Sequence, residues 1–151
     1  MKTNLDPIGL IHTPFVEKPE TPIQASFSQA TGRLEVFPEF ADGLDDIEGF
    51  SHIILIYLYH ESPGFHLRVI PFLDDQLRGL FSTRFPSRPN PIGLSVVRLL
   101  KREGNFLDIE GVDMLNGTPL LDIKPYVEDF DVRLNTHSGW YVNRTKGKKQ
   151  N

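Results

Sequence analysis

Cysteine is missing from this sequence of 151 residues. Its absence excludes disulfide bonds, thiolate zinc sites and cysteine nucleophiles. Long apolar runs are missing too, since the longest, at residues 53–59, has seven residues, far too few to span a bilayer. The N-terminal residues also lack the continuous hydrophobic stretch of a secretory signal. We therefore expect a cytoplasmic protein.

Acidic residues are missing from the C-terminal end of the chain. The net charge is −4, which does not favour a general nucleic-acid-binding protein. No Asp or Glu follows Asp131, whereas basic residues do: Arg133, Arg144, Lys146, Lys148 and Lys149. We interpret residues 133–151 as a basic, solvated C-terminal extension, and contact with phosphates is the alternative.

The residues that are present favour a small folded domain. Hydrophobic residues make up 39% of the chain and include 11 Phe, which suits one core in a chain of this length. No long segment has the 3.6-residue apolar period of a helix. Short apolar stretches separated by Gly and Pro instead predict a mainly β fold: a small single-domain β-barrel of residues 1–132 with short helical turns and loops. The predicted strands are 8–12, 33–36, 51–60, 67–70, 80–84, 94–102, 106–114 and 121–126.

Three local patterns are more specific. Residues 51–60 are apolar on both pleat faces, which is typical of a strand buried on both sides. Glu103-Gly104-Asn105, between two apolar stretches, predicts a hairpin turn. Residues 42–50 are expected to form a loop or a single helical turn.

A segment rich in proline and arginine, TRFPSRPNPIGLS, occupies residues 83–95. Its prolines fix the backbone and predict a stiff loop that loses little entropy on binding. Arg84 and Arg88 carry planar guanidinium groups that match carboxylates, phosphates or stacked bases. Asn90, between two prolines, is either a turn residue or a specific hydrogen-bonding group. The alternative is structural: Arg84 pairs with an internal Asp, and the prolines only end a strand.

Residues 121–126 alternate apolar and polar side chains, which predicts a strand with one polar face. If residues 121–126 form a strand, Asp122, Lys124 and Tyr126 point to the same side. Such a face is either solvated or lines a site, and the tyrosine favours a site.

Two shorter segments are also candidates. Gln24, after Pro22 and Ile23, offers an amide that both donates and accepts hydrogen bonds, although an ordinary loop is the alternative. His60-Glu61 ends the most apolar strand, where the histidine is either a cap or part of a pocket rim. The five histidines show no metal-binding spacing, so we expect no metal site.

These segments together resemble the TsaA/TrmO-like family of S-adenosylmethionine-dependent tRNA methyltransferases. The matching pieces follow one another in order over roughly residues 7–130. The longest are FSTRFPSRPNPIGLS at residues 81–95 and DMLNGTPLLDIKPY at residues 113–126. Shorter matches lie at residues 8–15, 22–24 and 43–52.

The resemblance implies a small β-barrel that binds S-adenosylmethionine, forms a homodimer and methylates N6 of threonylcarbamoyl-adenosine beside the anticodon of tRNA. Arg84 would then bind the carboxylate of the cofactor and Glu61 its amine. Arg88 and Asn90 would either face the substrate or hold the shape of the loop. The implied cofactor-binding residues are Pro22, Ile23, Gln24, His60, Glu61, Arg84, Leu94, Glu110, Gly111, Val112 and Asp113.

The implied reaction also suggests catalytic groups. Methyl transfer is an in-line displacement at a sulfonium carbon, so most of the catalysis is positioning. A carboxylate, from Asp122 or Asp113, would remove or share the N6 proton. Lys124 and Tyr126 would bind the threonine carboxylate or carbonyl, or a phosphate. The predicted catalytic residues are therefore Asp122, Lys124 and Tyr126.

The sequence departs from the family in two places. Bacterial relatives have a His-Gln pair where this chain has His60-Glu61. Longer relatives carry an additional C-terminal domain, whereas this sequence ends soon after the barrel motifs. Two alternatives therefore stay open: a methyltransferase that acts on a different acceptor, and a binding module for S-adenosylmethionine without transfer activity.

Overall fold

In the computed structural model, described for residues 1–17, 22–24 and 28–143, most regular structure consists of strands. They are β1 (Gly9–His12), β2 (Thr31–Val36), β3 (His52–Leu58), β4 (Arg68–Val69), β5 (Arg78–Gly79), β6 (Ile92–Glu103), β7 (Phe106–Glu110) and β8 (Thr118–Pro125). Short 3₁₀ turns occupy Pro38–Leu44, Ile47–Gly49, Leu80–Ser82 and Gly139–Asn143, and a single α-helical turn, α1, occupies Glu128–Asp131. Of the basic extension, Arg144, Lys146, Lys148 and Lys149 lie outside the described residues.

Six of the strands close into an antiparallel barrel in the order β1-β2-β7-β6-β3-β8. Strands β3 and β6 pair along their length, with Ile53 opposite Val97 and Leu55 opposite Ser95. Strands β4 and β5 form a separate two-stranded sheet. The predicted mainly β fold and small single-domain barrel are confirmed. No helix in the described part of the chain is long and apolar enough to cross a membrane.

The interior of the barrel is filled by aliphatic side chains. Because successive residues of a strand point to opposite faces, Ile53, Leu55 and Tyr57 of β3 are buried, while Ile54 and Ile56 on the outer face are only half-buried. The expectation that β3 is buried on both sides is therefore wrong for its outer face. The fully buried core residues include Ile11, Leu34, Ile53, Leu55, Leu107, Ile109, Val112 and Leu120.

Other strand predictions fail for local reasons. The segment predicted as a strand at residues 80–84 begins as a 3₁₀ turn, because the Ser82 and Thr83 hydroxyls donate to carbonyls three residues back. Strand β7 ends at Glu110, four residues earlier than expected, because Gly111 has a φ of 95°. The hairpin turn is confirmed at Gly104, whose φ is 63°. The helical turn expected within residues 42–50 is confirmed at Ile47–Gly49.

Candidate functional site

A cavity of about 890 Å³ lies where several connecting segments meet. Its size is within the usual range for small-molecule sites, about 300–1,000 Å³. The loop after β3, the segment between β5 and β6, the segment between β7 and β8, and residues 22–24 and 138–141 all contribute side chains. Segments from both halves of the sequence thus build one site.

Most of the predicted cofactor residues surround this cavity or a smaller one beside it. Pro22, Ile23, Gln24, His60, Glu61, Arg84 and Asp113 line the larger cavity. The second cavity, of about 480 Å³, is lined by Leu94, Glu110 and Gly111 and, as its shared wall with the first, by Gln24 and Arg84. Arg84 Nη1 donates to Gln24 Oε1 at 3.0 Å, so this pair joins the two cavities.

Val112 is the predicted cofactor residue that lines neither cavity. Its side chain is fully buried in the barrel core, where it packs so closely on Gly32 that a Cβ at that position would collide with it. The neighbouring Gly111 and Asp113 reach the cavities. Val112 therefore anchors the segment that presents them.

Arg84 has no ionic partner among the described residues, whereas the nearby Arg78 does. No carboxylate of residues 1–17, 22–24 and 28–143 lies within ion-pair distance of its guanidinium. The alternative in which Arg84 pairs with an internal Asp is therefore not seen in this part of the chain. Asp74 instead accepts a hydrogen bond of 2.6 Å from Arg78 Nε, which lowers the pKa of the Asp74 carboxyl.

A chain of hydrogen bonds runs from the barrel core to Asp113. Ser95 Oγ donates to Asp113 Oδ1 at 2.6 Å, so the Ser95 oxygen is free to accept from the Tyr57 hydroxyl, 2.8 Å away. Sequence reasoning missed Tyr57 and Ser95, because both lie within apolar strands. The only signal is Gly93, opposite Tyr57 in the β3–β6 register, where a Cβ would collide with the tyrosine ring.

Burial keeps this tyrosine protonated. It raises the pKa of the Tyr57 phenol far above its ordinary value, and the nearby Asp113 carboxylate raises it further. The pKa of Tyr59 is also raised, chiefly by burial. Tyr57 is therefore a hydrogen-bond donor in this network at neutral pH and not a base.

Aromatic side chains form the outer wall of the larger cavity. Phe72 and Phe85 stack with their ring centroids 5.3 Å apart, and Phe81 lies 74% exposed nearby on the same lining. Trp140 Nε1 donates to the carbonyl oxygen of Ser82 at 2.7 Å, which brings the segment after α1 to the cavity. Sequence reasoning placed Trp140 in a solvated extension, and no pattern in the sequence indicates this contact.

Arg88 and Asn90 occupy the loop in different ways. The Arg88 guanidinium donates to the carbonyl oxygens of Thr83 and Phe85 at 2.9 and 3.0 Å, so it holds the loop in shape. Asn90 is exposed and lines neither cavity, and its carbonyl oxygen accepts from the Ile92 amide at 2.7 Å. A direct contact of either residue with a substrate stays a prediction.

The predicted catalytic residues Asp122, Lys124 and Tyr126 line neither cavity. Asp122 and Lys124 lie opposite Ile56 and Ile54 in the β3–β8 register, on the outer face of the barrel, and form an ion pair of 3.0 Å. Tyr126 packs edge-on against His52 with centroids 6.3 Å apart, and His52 lines the smaller cavity. Their catalytic role stays a prediction.

Metal ligands are not gathered anywhere in residues 1–17, 22–24 and 28–143. No group of three or more His, Asp or Glu side chains there could hold a metal ion.

A family model for the tRNA-methyltransferase O N-terminal domain matches residues 10–132. The chain belongs to the TrmO family. A crystal structure of TrmO from Pseudomonas aeruginosa is 38% identical, superimposes with a TM-score of 0.76, and aligns over 92% of this chain and 62% of that one. The fold and the family motifs are thus those of TrmO.

Curated relatives of this chain include proteins named for cofactor binding and proteins named for methyl transfer. A probable S-adenosyl-L-methionine-binding protein from Pyrococcus abyssi is 58% identical over 89% of this chain and 73% of its own length. A tRNA (adenine(37)-N6)-methyltransferase from Rattus norvegicus is 38% identical over 83% of this chain. The matched region is 31% of the length of the rat enzyme.

Proposed function

We propose that this TrmO-family protein is an S-adenosylmethionine-dependent methyltransferase that acts on N6 of the adenine beside the anticodon of tRNA. The observation that carries the proposal is the gathering of the family's cofactor residues around two cavities joined at the Gln24–Arg84 pair. Relatives named for cofactor binding and for tRNA methylation support it.

The side chains at the cavities match the chemical groups of the cofactor. S-adenosylmethionine has a carboxylate, a cationic amine and sulfonium, and a flat adenine. Arg84, without a carboxylate partner in the described part of the chain, suits the carboxylate. Glu61 and Asp113 are the carboxylates on the lining of the larger cavity and suit the cationic groups. When bound, the cofactor supplies a methyl group that is already activated for transfer.

Asp113 is the carboxylate best placed to handle the proton of the acceptor nitrogen. It lines the larger cavity, and Ser95 fixes one of its oxygens at 2.6 Å. A carboxylate held in this way can accept the N6 proton as the nitrogen attacks, provided that the acceptor lies within hydrogen-bonding reach. Ser95 and Tyr57 position this carboxylate through their hydrogen bonds.

Asp122, Lys124 and Tyr126 remain part of the proposal on different grounds. They lie on the outer face of the barrel or beside the smaller cavity. A contact with the substrate there requires that the RNA extend across β8. These residues would then bind the substrate at a distance from the transferred methyl group.

The substrate is proposed to be adenosine that carries a threonylcarbamoyl group on N6. That group draws electrons from N6 and makes its N–H more acidic, which suits a carboxylate base. The test is mass spectrometry of nucleosides from tRNA incubated with protein and cofactor, with and without the threonylcarbamoyl modification. Methylated product from the modified tRNA alone supports the proposal. Equal methylation of both tRNAs contradicts the proposal that the substrate carries a threonylcarbamoyl group. Absence of methylation despite cofactor binding contradicts the proposed enzymatic activity.

A cytoplasmic homodimer completes the proposal. Ile92, Leu94 and Val96 form an apolar stripe on the outer face of β6, with 38%, 48% and 38% of their surfaces exposed. A second copy of the chain would cover such a stripe and enlarge the surface available to RNA. Sedimentation equilibrium tests the dimer, since a mass of one chain at micromolar concentration contradicts it.

A further inference from the structure

The larger cavity has an outer wall that the proposed cofactor and proton acceptor do not use. Phe81 and Trp140 meet there around Ser82, whose carbonyl oxygen accepts a hydrogen bond from the indole. We call Phe81 and Trp140 the aromatic rim. We infer that the aromatic rim is a stacking platform for unpaired RNA bases that flank the target adenine. This inference rests on the proposed action on RNA.

Exposure distinguishes the rim from core packing. The Phe81 side chain is 74% exposed, although the 3₁₀ turn that carries it directly precedes a buried Thr83. A large aromatic ring at the mouth of a cavity is costly to solvate unless a partner covers it. Bases of single-stranded RNA have flat faces that stack on Phe, Trp and Arg without regard to sequence.

Arginine accompanies each ring of the rim. Arg88 Cζ lies 5.9 Å from the centroid of Phe81, and Arg78 Cζ lies 5.7 Å from that of Trp140. Arg78 is neutralised by Asp74. Arg88 bonds only to backbone carbonyls within the described residues, so its charge is not compensated there. Alternating rings and guanidinium groups match a strand whose bases are flat and whose backbone is anionic.

The adenine of the cofactor is the competing occupant of these rings. The residues that the family resemblance assigns to the cofactor lead from the larger cavity through Arg84 to Leu94, Glu110 and Gly111 in the smaller one. None of them belongs to the rim. That direction, together with the outward exposure of Phe81, favours RNA bases over the cofactor.

Trp140 makes the inference directly measurable, because it is the only tryptophan in the sequence. The protein, saturated with S-adenosylmethionine, is titrated with a short single-stranded oligoribonucleotide while tryptophan emission is recorded. Stacking on or beside Trp140 should quench the emission. A duplex of the same sequence should quench less, because its bases are already stacked on each other. Equal quenching by duplex and single strand overturns the inference.

Phe81→Ala tests the rim without disturbing the fold, since the side chain is mostly exposed. We expect its dissociation constant for the single strand, and its KM for tRNA, to rise about tenfold. Phe81→Tyr should restore both values. Phe130→Ala is the matched control, because Phe130 is 70% exposed but lines neither cavity, and it should behave as wild type. Wild-type RNA binding in Phe81→Ala overturns the inference.

Cofactor binding shows whether the aromatic rim holds RNA bases or the adenine of S-adenosylmethionine. Calorimetry with S-adenosylmethionine should give the same dissociation constant for wild type and Phe81→Ala, and a loss of cofactor affinity overturns the inference in favour of adenine. A different outcome would contradict the proposed function without contradicting this inference. If wild type transfers no methyl group to tRNA yet binds the single strand in a Phe81-dependent way, the stacking surface stands without that activity.

Discussion

The loop at residues 83–91, before β6, and the segment at residues 122–126, mostly in β8, are both rich in polar side chains, but they lie on different surfaces. The loop carries Arg84 into the wall between two cavities, where no carboxylate of the described residues neutralises it. On the strand, Asp122 and Lys124 neutralise each other at 3.0 Å on the outer face of the barrel. Arg84 can therefore bind an external anion, whereas Asp122 and Lys124 are already paired with each other.

The difference has a structural origin. A strand in a closed barrel can direct a side chain only inward to the core or outward to solvent. A proline-rich loop is free of that alternation and can turn a cation toward a concave space. Polar residues are therefore better indicators of a site when they lie on a rigid loop than when they alternate along a barrel strand.

Replacing Arg84 should produce the largest effect. Without its guanidinium the cofactor carboxylate would lose its cationic partner, so we expect Arg84→Ala to weaken S-adenosylmethionine binding by about a hundredfold. Isothermal titration calorimetry measures this. Arg68→Ala, which removes an exposed arginine that lines neither cavity, should bind normally. Unchanged affinity in Arg84→Ala would contradict the proposed role of the loop in binding the cofactor.

Ser95 should have the next largest effect, through Asp113. Ser95→Ala removes the hydroxyl that donates to Asp113 Oδ1 at 2.6 Å, so we expect kcat to fall about tenfold. Because Ser95 also lines the smaller cavity, we expect cofactor affinity to fall as well, but by less than kcat. A carboxylate that loses a donor has a higher pKa, so the acidic limb of the kcat–pH profile should shift to higher pH. Ser51→Ala, outside both cavities, is the control. A lower kcat with an unshifted pH profile would indicate damage to the fold instead.

Tyr57 should produce a smaller effect, on stability at high pH. Its pKa in the folded protein is raised above the ordinary value by burial, so its contribution to stability is complete below about pH 10 and is lost above it, where the unfolded chain ionises first. Urea denaturation at about pH 8 and about pH 11 should show a smaller loss of unfolding free energy for Tyr57→Phe than for wild type. Part of the loss should persist, since the pKa of Tyr59 is also raised. Equal losses in both proteins would be inconsistent with a protonated Tyr57.

The outer strand should give the smallest effect. Asp122 and Lys124 are 48% and 62% exposed, and exposed ion pairs contribute only about 0–1 kcal/mol. We expect Asp122→Asn and Lys124→Ala to change kcat by less than about twofold, and any larger effect to appear in the KM for tRNA. Steady-state methyl transfer is the measurement. A loss of kcat of about tenfold or more in either variant would support the catalytic assignment made from the sequence.

Local patterns predicted the barrel well where strands pair through turns. The hairpin at Gly104 and the apolar β3 follow from residue types that are read over a few positions. The 3₁₀ turn at Leu80–Ser82 was not predictable in this way, because side-chain hydroxyls compete with strand pairing there.

The candidate site, like the fold, was predictable from the sequence only in part. The family resemblance identified many of the residues that surround the two cavities, and Arg84, Leu94 and Asp113 among them lie in its two longest segments. The motifs did not identify Trp140, whose contact with Ser82 joins positions 58 residues apart.

The sequence alone determined the class of fold, the family and the rigid cationic loop, because strand patterning, motif order and proline chemistry are local properties of the chain. Only the tertiary structure decided which polar residues share a cavity. Closing the barrel sets the inward or outward direction of every strand residue, and this put Asp113 beside Ser95 and left Asp122 paired with Lys124 outside. The Ser95–Asp113 hydrogen bond depends on how the closed barrel places β6 beside the segment after β7, which no short stretch of sequence encodes.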